Sequence, residues 1–280
     1  MHAPAPDAHA VPAEISRSWL LVSARDRDAF DPAVASRADQ VILDLEDGVD
    51  QSFKSEARGY VVEWLAGGGR AWARVNQRSG DFWADDLDAL RGRTGLAGVV
   101  LAKAETPEQV TETFDRLGGV TPVVALVESA AGIENAVAIA QARGVFRLAF
   151  GSGDYRRDTG AGATDLAMAY PRSRLVSASA VGRLPGPIDG PTVSTSHPVV
   201  RDQSESAVAM GMTGKLCLDR RQLPVINECI SPTVSDIVWA REFLQEFNAR
   251  GRVVRDGSDR PRLHRAEKID ALARDLGIDP

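Results

Sequence analysis

Cysteine, histidine and aromatic residues are all scarce in this 280-residue chain, with two Cys, four His and 6% Phe, Trp and Tyr. Cys217 and Cys229 are too few for a disulfide framework and form no CxxC pair of the kind that holds structural zinc. A reducing cytoplasm is therefore the expected home. The histidines make no set: His2 and His9 lie near the N-terminus, His197 in an expected loop and His264 in the tail. Without zinc-ligand spacing or a Ser/His/Asp constellation, nucleophilic catalysis by serine or cysteine is not expected. No run of about 18 uncharged apolar residues occurs, so no membrane partner is expected. Lys and Arg number 33 against 39 Asp and Glu, a net charge of −6 that argues against a nucleic-acid partner. Arg156, Arg157, Arg172 and Arg174 lie close in sequence and can either bind a phosphorylated or carboxylated small molecule or simply solvate a surface.

What is present has a strong rhythm. Eight short apolar runs recur: WLLVSA from Trp19, QVILDL from Gln40, AWARVN from Ala71, GVVLAK from Gly98, PVVALVE from Pro122, FRLAFGS from Phe146, RLVSASA from Arg174 and TGKLCL from Thr213. Apolar residues on successive positions suit parallel strands buried on both faces. The segments between them read as helices. TPEQVTETFDRLGG has Thr106 as N-cap, Pro107 at the first helical position and Gly118 near the stop. SAAGIENAVAIAQARG begins after Ser129 and stops at Gly144, and KSEARGYVVEWLAGGG places Val61, Val62 and Leu65 on one face. Strand and helix alternating eight times predict an α/β fold, a (β/α)8 TIM barrel over residues 17–230. An open doubly wound sheet would show a glycine-rich phosphate loop after an early strand, and none occurs there. Residues 1–16, rich in Ala and Pro, read as a disordered leader. Residues 231–280 read as an extension of extra C-terminal helices, which either pads the barrel, covers its mouth or reaches a neighbouring subunit. It combines an amphipathic helix bearing Ile237, Trp239, Phe243, Leu244 and Phe247, a loop VVRDGSDRPRLH and a last helix RAEKIDALARDLG.

In a parallel barrel, reactive groups collect where the strands end. The second strand ends in Asp44, Glu46 and Asp47, the third in Arg74 and Asn76, the fourth in Lys103, the fifth in Glu128, and the sixth runs into Gly151, Ser152, Gly153 and Asp154. Glu128 and Asp154 sit at matching ends of neighbouring strands about 4.8 Å apart, where two carboxylates repel unless a cation or proton lies between them. A hard ion such as Mg²⁺ suits that pair, although each acid can also be read as a helix cap. Arg74 ends an apolar strand, where its fork can clamp a substrate carboxylate or form an internal salt bridge to Asp44 or Glu46. Asp158 is either a helix cap or a support for the site.

These segments are similar to the citrate lyase β-subunit-like CoA ester lyases of the HpcH/HpaI aldolase superfamily. ILDLEDGV at Ile42, ARVN at Ala73, VVLAKAET at Val99, ALVESAAGI at Ala125, FGSGDYRRDTG at Phe150 and GKLCLDRRQLPVIN at Gly214 carry the resemblance, which spans Trp19 to Gly277. FGSGDYRRDTG with LPGPIDGPTV at Leu184 resembles most the citryl-CoA or citramalyl-CoA lyase branch. The resemblance implies Mg²⁺ on Glu128 and Asp154, Arg74 on a substrate carboxylate, an acyl-CoA substrate with a small 2-keto acid, and a homo-oligomer, trimer or hexamer. Lys103, Gly153, Asp154 and Pro187 are the further candidates for contact with the substrate, Lys103 and the arginines near Arg156 for the CoA phosphates.

The reaction so implied is retro-aldol cleavage of malyl-, citramalyl- or citryl-CoA to acetyl-CoA and a 2-keto acid. Its base is either a metal-bound hydroxide, Asp44 or Glu46, or Asp259 from a neighbour, with Asp256 a weaker candidate. Two departures stand out: Asp219 and Arg220 replace the family's His-Pro after the eighth strand, and DGSDRP is shorter than the family's C-terminal aspartate segment. The rival readings are a class II aldolase on free 2-keto-3-deoxy acids and a non-catalytic acyl-CoA-binding or complex subunit.

Overall fold

The computed structural model describes residues 11–279, so most of the expected leader, 1–10, lies outside the described residues. Eight parallel strands close into a barrel in sequence order: β1 (Ser18–Ser23), β2 (Gln40–Asp44), β3 (Ala71–Val75), β4 (Leu96–Leu101), β5 (Val123–Val127), β6 (Val145–Phe150), β7 (Ile188–Asp189) and β8 (Gly214–Cys217). Helices α1 (Phe30–Val34), α2 (Lys54–Ala66), α3 (Trp83–Leu90), α4 (Pro107–Arg116), α5 (Ala130–Glu134) and α6 (Ala136–Ala140) follow the first five strands. Then come α7 (Ser152–Thr159), α8 (Asp165–Gly182), α9 (His197–Ala209), α10 (Leu223–Ile230), α11 (Val234–Ala249) and α12 (Asp259–Asp275). The chain divides into two compact units, one ending at Asn227 and the other beginning at Glu228. Among the described residues, no helix is long and apolar enough to cross a membrane.

The barrel is filled, as the inward strand positions require, by Trp19, Ile42, Trp72, Val100, Val124, Leu126, Ala149, Ile188 and Leu216. Trp19 and Trp72 meet edge to face with centroids 5.1 Å apart, and Gly98 is needed there because any Cβ would strike the Trp72 ring. Arg147, fully buried on β6, donates to the carbonyls of Gly186, Ala13 and Ser16 and to the Thr213 hydroxyl. Residues 11–16 are thereby tied to the barrel rather than free, and Ser16 is buried. Burial, only partly offset by Glu14, pushes Arg147 down to about 9.

Helix ends follow the sequence signals. Thr106 and Gln109 form a capping box at the start of α4, and Gly118 and Gly144 take the left-handed φ values of +95° and +86° that end their helical segments. On α2, Val61, Trp64 and Leu65 are buried while Val62 is only half-buried.

The seventh strand is not where the apolar pattern puts it. RLVSASA belongs to α8, capped by Thr164, which buries Met168, Leu175, Ala178 and Ser179 on one face. The strand is instead the two-residue Ile188–Asp189, framed by Pro187, Gly190 and Pro191 and therefore without a readable apolar run. What the short ladder lacks, charge supplies: Asp189, fully buried, accepts from Lys215 Nζ at 2.7 Å and from Arg172 Nε at 2.8 Å.

The second unit is a helix pair. Ala240, Phe243, Phe247 and Ala266 form its core, with Trp239, Leu244, Leu263 and Ile269 around them. The segment DRPRLH, expected as loop, is already the first part of α12; Pro261 is tolerated there because first-turn N–H groups have no helical partner.

Candidate active site

The strand ends converge on a charged cluster. Arg74 and Asp44 are paired in register on β3 and β2. The guanidinium donates to both Asp44 oxygens, Nε to Oδ1 at 2.7 Å and Nη2 to Oδ2 at 2.6 Å, and Nη1 lies 3.2 Å from Glu46 Oε2. Burial would lower the Arg74 pKa, but Asp44 and Glu46 outweigh it and hold the arginine above its ordinary value. Asp44 also accepts the backbone N–H groups of Glu46 and Gly48, and a Cβ at residue 48 would run into it. Asp44 and Glu46, both expected as candidate bases, thus both meet Arg74.

Lys103 takes a left-handed φ of +50°, one of the few non-glycine residues to do so. That turn lets its backbone N–H donate to Glu128 Oε1 and its ammonium to Glu46 Oε1, both at 2.8 Å. Glu128 is 3% exposed at the end of β5, and its other oxygen packs against Gly151, where a Cβ would occupy the same space. Burial, Glu46 and Asp154 push Glu128 up to about 8 against the pull of Arg74. A buried carboxylate in a surplus of negative charge, cradled by glycine, fits a cation as partner. Asp154, in the first turn of α7, pairs with exposed Arg157 at 2.9 Å. No group of three or more His, Cys, Asp or Glu that could hold a metal occurs among the described residues. A cation on Glu128 and Asp154 would therefore take its remaining ligands from substrate and water.

Glu128 and Asp154 line two cavities. The first, about 170 Å³, is bordered also by Arg74, Gly153, Pro191 and several leucines. The second, about 420 Å³, is polar, with Gln77, Ser79, Lys103, Arg157 and Asp158 among its walls. Asp158 caps α5 by accepting the Ala130 N–H.

Several expected residues have contacts away from the two cavities. Pro187 precedes β7 and so lies at the end of the strand away from the mouth, its carbonyl accepting from Thr213; Pro191, past the strand, is the proline that reaches the cavity. Arg172 is buried on Asp189 and Arg174 donates to the Glu134 carbonyl, so neither joins Arg157 at the second cavity. In the second unit, Asp259 is buried, accepting from the Arg255 N–H and lying 2.8 Å from Arg250, while Asp256 accepts from Ser258. Asp219 caps a short turn through Arg221, which holds it at about 2. Burial pushes the Cys217 thiol up to about 12, which keeps it from nucleophilic work.

One supporting group went unread. Lys54, at the start of α2 and buried, donates to the carbonyls of Leu45 at 2.9 Å and Glu46 at 2.7 Å. Asn76 donates to the Leu45 carbonyl and to buried Asp86, which Arg58 also holds. The only sequence signal was a lysine eight residues beyond Glu46 at a helix start, a common surface pattern.

A closed parallel barrel that gathers buried acids and a buried arginine at its strand ends places a charged cluster where barrel enzymes carry their chemistry. The model described as HpcH/HpaI aldolase/citrate lyase matches residues 17–219, and that described as HpcH/HpaI aldolase C-terminal domain matches 235–277. The chain belongs to the HpcH/HpaI aldolase/citrate lyase family and, at the level of reaction class, is a carbon–carbon lyase. A citrate lyase subunit beta-like protein of Mycobacterium tuberculosis is 32% identical over 268 residues, covering 90% of this chain and 93% of that one. The human mitochondrial citramalyl-CoA lyase is 28% identical over 293 residues, covering 93% and 86%. CitE from M. tuberculosis, solved in complex with magnesium, acetoacetate and coenzyme A, matches with a TM-score of 0.77 at 27% identity, over 94% of this chain and 99% of that one.

Proposed function

We infer that this chain cleaves a 3-hydroxy-3-carboxy acyl-CoA thioester of the malyl, citramalyl or citryl type into acetyl-CoA and a 2-keto acid, with Mg²⁺ held by Glu128 and Asp154. The observation that carries this reading is the buried Glu128 carboxylate, set among Glu46, Asp154 and Arg74 at the barrel mouth. The magnesium and coenzyme A in the CitE complex support it.

In the reaction, a base takes the hydroxyl proton and the bond between the hydroxyl-bearing carbon and its thioester-side neighbour breaks. The electron pair passes into the thioester enolate, which then takes up a proton as acetyl-CoA. When bound, Mg²⁺ supplies Lewis acidity for the hydroxyl and carboxylate oxygens. Arg74 has five N–H donors; two are committed to Asp44 and Nη1 faces Glu46 at 3.2 Å, and its remaining N–H groups can clamp one substrate carboxylate. Because Asp44 and Glu46 fix the plane of the guanidinium beforehand, little reorganisation accompanies binding. Lys103 keeps Glu128 and Glu46 apart and oriented, through its N–H on one and its ammonium on the other. The larger, polar cavity is the room available for the thioester arm.

Acetyl-CoA release from the three thioesters should require Mg²⁺, stop with EDTA, and fall at least about a thousandfold in Glu128→Gln, which keeps the shape but loses the charge. Undiminished release in EDTA would remove the cation from the reading, and release unaffected by Glu128→Gln would remove Glu128.

A further inference from the structure

The loop after β7 gives the smaller cavity one wall through Pro191, and Leu218, just past β8, gives it the next. Little in the loop itself holds it there. Among residues 191–196 only Thr192 is buried, and Val193 at the tip is 88% exposed. None of residues 191–195 makes a backbone–backbone hydrogen bond with any described residue. Gln222 supplies the missing ties. Its buried amide nitrogen donates to the carbonyls of Thr192 at 2.8 Å and Ser194 at 2.6 Å. Its oxygen accepts from the Leu218 N–H at 3.1 Å and from the Cys217 thiol at 3.3 Å. With carbonyls on one side and donors on the other, the amide has a single workable orientation, and all its hydrogen-bonding capacity is used. Asp219 steadies the turn that presents Gln222 by accepting from the Arg221 N–H, and the Arg221 carbonyl meets His197 Nε2 at 3.1 Å where α9 begins. Gly190 is held separately, by Lys215 Nζ on its carbonyl.

We propose that Gln222 is a positioning residue: by tying the loop after β7 to the end of β8, its amide presets the wall that Pro191 and Leu218 give the smaller cavity. Substrate positioning presupposes the cleavage reaction inferred above. A wall ordered beforehand need not be ordered by the ligand, so losing the tie should weaken binding. Arg74, Glu128 and Asp154 come from β3, the end of β5 and α7, and Gly190 keeps its own tie, so the chemical step should change little. In the full-length protein with Mg²⁺, Gln222→Met keeps the buried stem and loses the amide, while Gln222→Glu keeps the acceptor for Leu218. Hydrogen exchange at the amides of residues 192–196 should quicken at least about tenfold in Gln222→Met. KM for the best of the three thioesters should rise at least about tenfold, with kcat held within about threefold. The carboxyl of Gln222→Glu can donate to a loop carbonyl only while protonated. Its KM, relative to the unaltered protein, should therefore climb between about pH 6 and pH 9, while that of Gln222→Met stays level. Taking the ratio at each pH removes the titrations of Cys217, His197, Asp219 and Glu128, which all three proteins share. Should Gln222→Met not fold, the pH trend of Gln222→Glu decides. Unchanged loop exchange, an unchanged KM, or a kcat that falls as far as KM rises overturns the role and leaves cleavage standing. If the unaltered protein turns over no thioester, cleavage falls, and the calorimetric Kd for pyruvate takes the place of KM. A Kd weakened at least about tenfold in Gln222→Met then sustains the role, and an equal Kd or no binding at all overturns it.

Discussion

Replacing Lys54 with methionine should loosen the site without touching any residue that lines it. The methionine keeps most of the buried stem but loses the donors to the Leu45 and Glu46 carbonyls. Each carbonyl left buried without a partner costs about 1–3 kcal/mol. Part of that is returned, because burial already disfavours the ammonium and lowers its pKa. A net loss of about 2–3 kcal/mol follows, or about 5–10 °C in Tm for a unit of this size. The Leu45–Glu46 loop also carries the acid that meets both Arg74 and Lys103, so kcat should fall while coenzyme A binding changes little. Thermal melts by circular dichroism and steady-state kinetics measure the two effects separately. A variant with unchanged Tm and unchanged kcat would refute the reasoning, since the loop would then be held by Asn76 and its own turn alone.

Gly151→Ala puts a methyl group against Glu128 and should cost about 1–3 kcal/mol, together with at least a tenfold loss in Mn²⁺ affinity read by electron paramagnetic resonance. Gly153→Ala, with open space around it, should leave stability unchanged within about 0.5 kcal/mol in a urea titration. Burial alone would raise the Asp189 pKa, but Lys215 and Arg172 outweigh it and hold it below the ordinary 3.8. Its contribution is therefore complete above that value and lost as the pH falls through the lower folded one, so acid unfolding should steepen below pH 3.8. Asp189→Asn, which strands two buried cations, should cost about 3–5 kcal/mol at neutral pH and flatten the acid limb.

The barrel was legible because seven of its strands are apolar runs closed by polar ends, and the acids at those ends follow from the parallel direction of the strands. β7 was not, because its place in the ladder is secured by the Asp189, Lys215 and Arg172 charges, which are far apart in sequence. The same limit explains Pro187: once the strand is shifted, the proline that reaches the cavity is Pro191. Arg74, Glu128, Asp154, Gly153 and Lys103 meet at the mouth as their strand positions require. Whether Arg74 would meet Asp44 internally was undecidable from spacing; the structure shows that it does, through both Asp44 oxygens. Lys54 escaped notice because a lysine in a first helical turn usually faces water, and only the chain's return beneath β2 buries it.

Product stoichiometry tests the central claim most directly. The purified chain is mixed with malyl-, citramalyl- and citryl-CoA in Mg²⁺, and both halves of each consumed thioester are measured by mass spectrometry. Carbon–carbon cleavage predicts one acetyl-CoA and one 2-keto acid for every thioester lost, with no free coenzyme A. Free coenzyme A together with the intact hydroxy acid would mean thioester hydrolysis at the same barrel mouth, and would contradict the account.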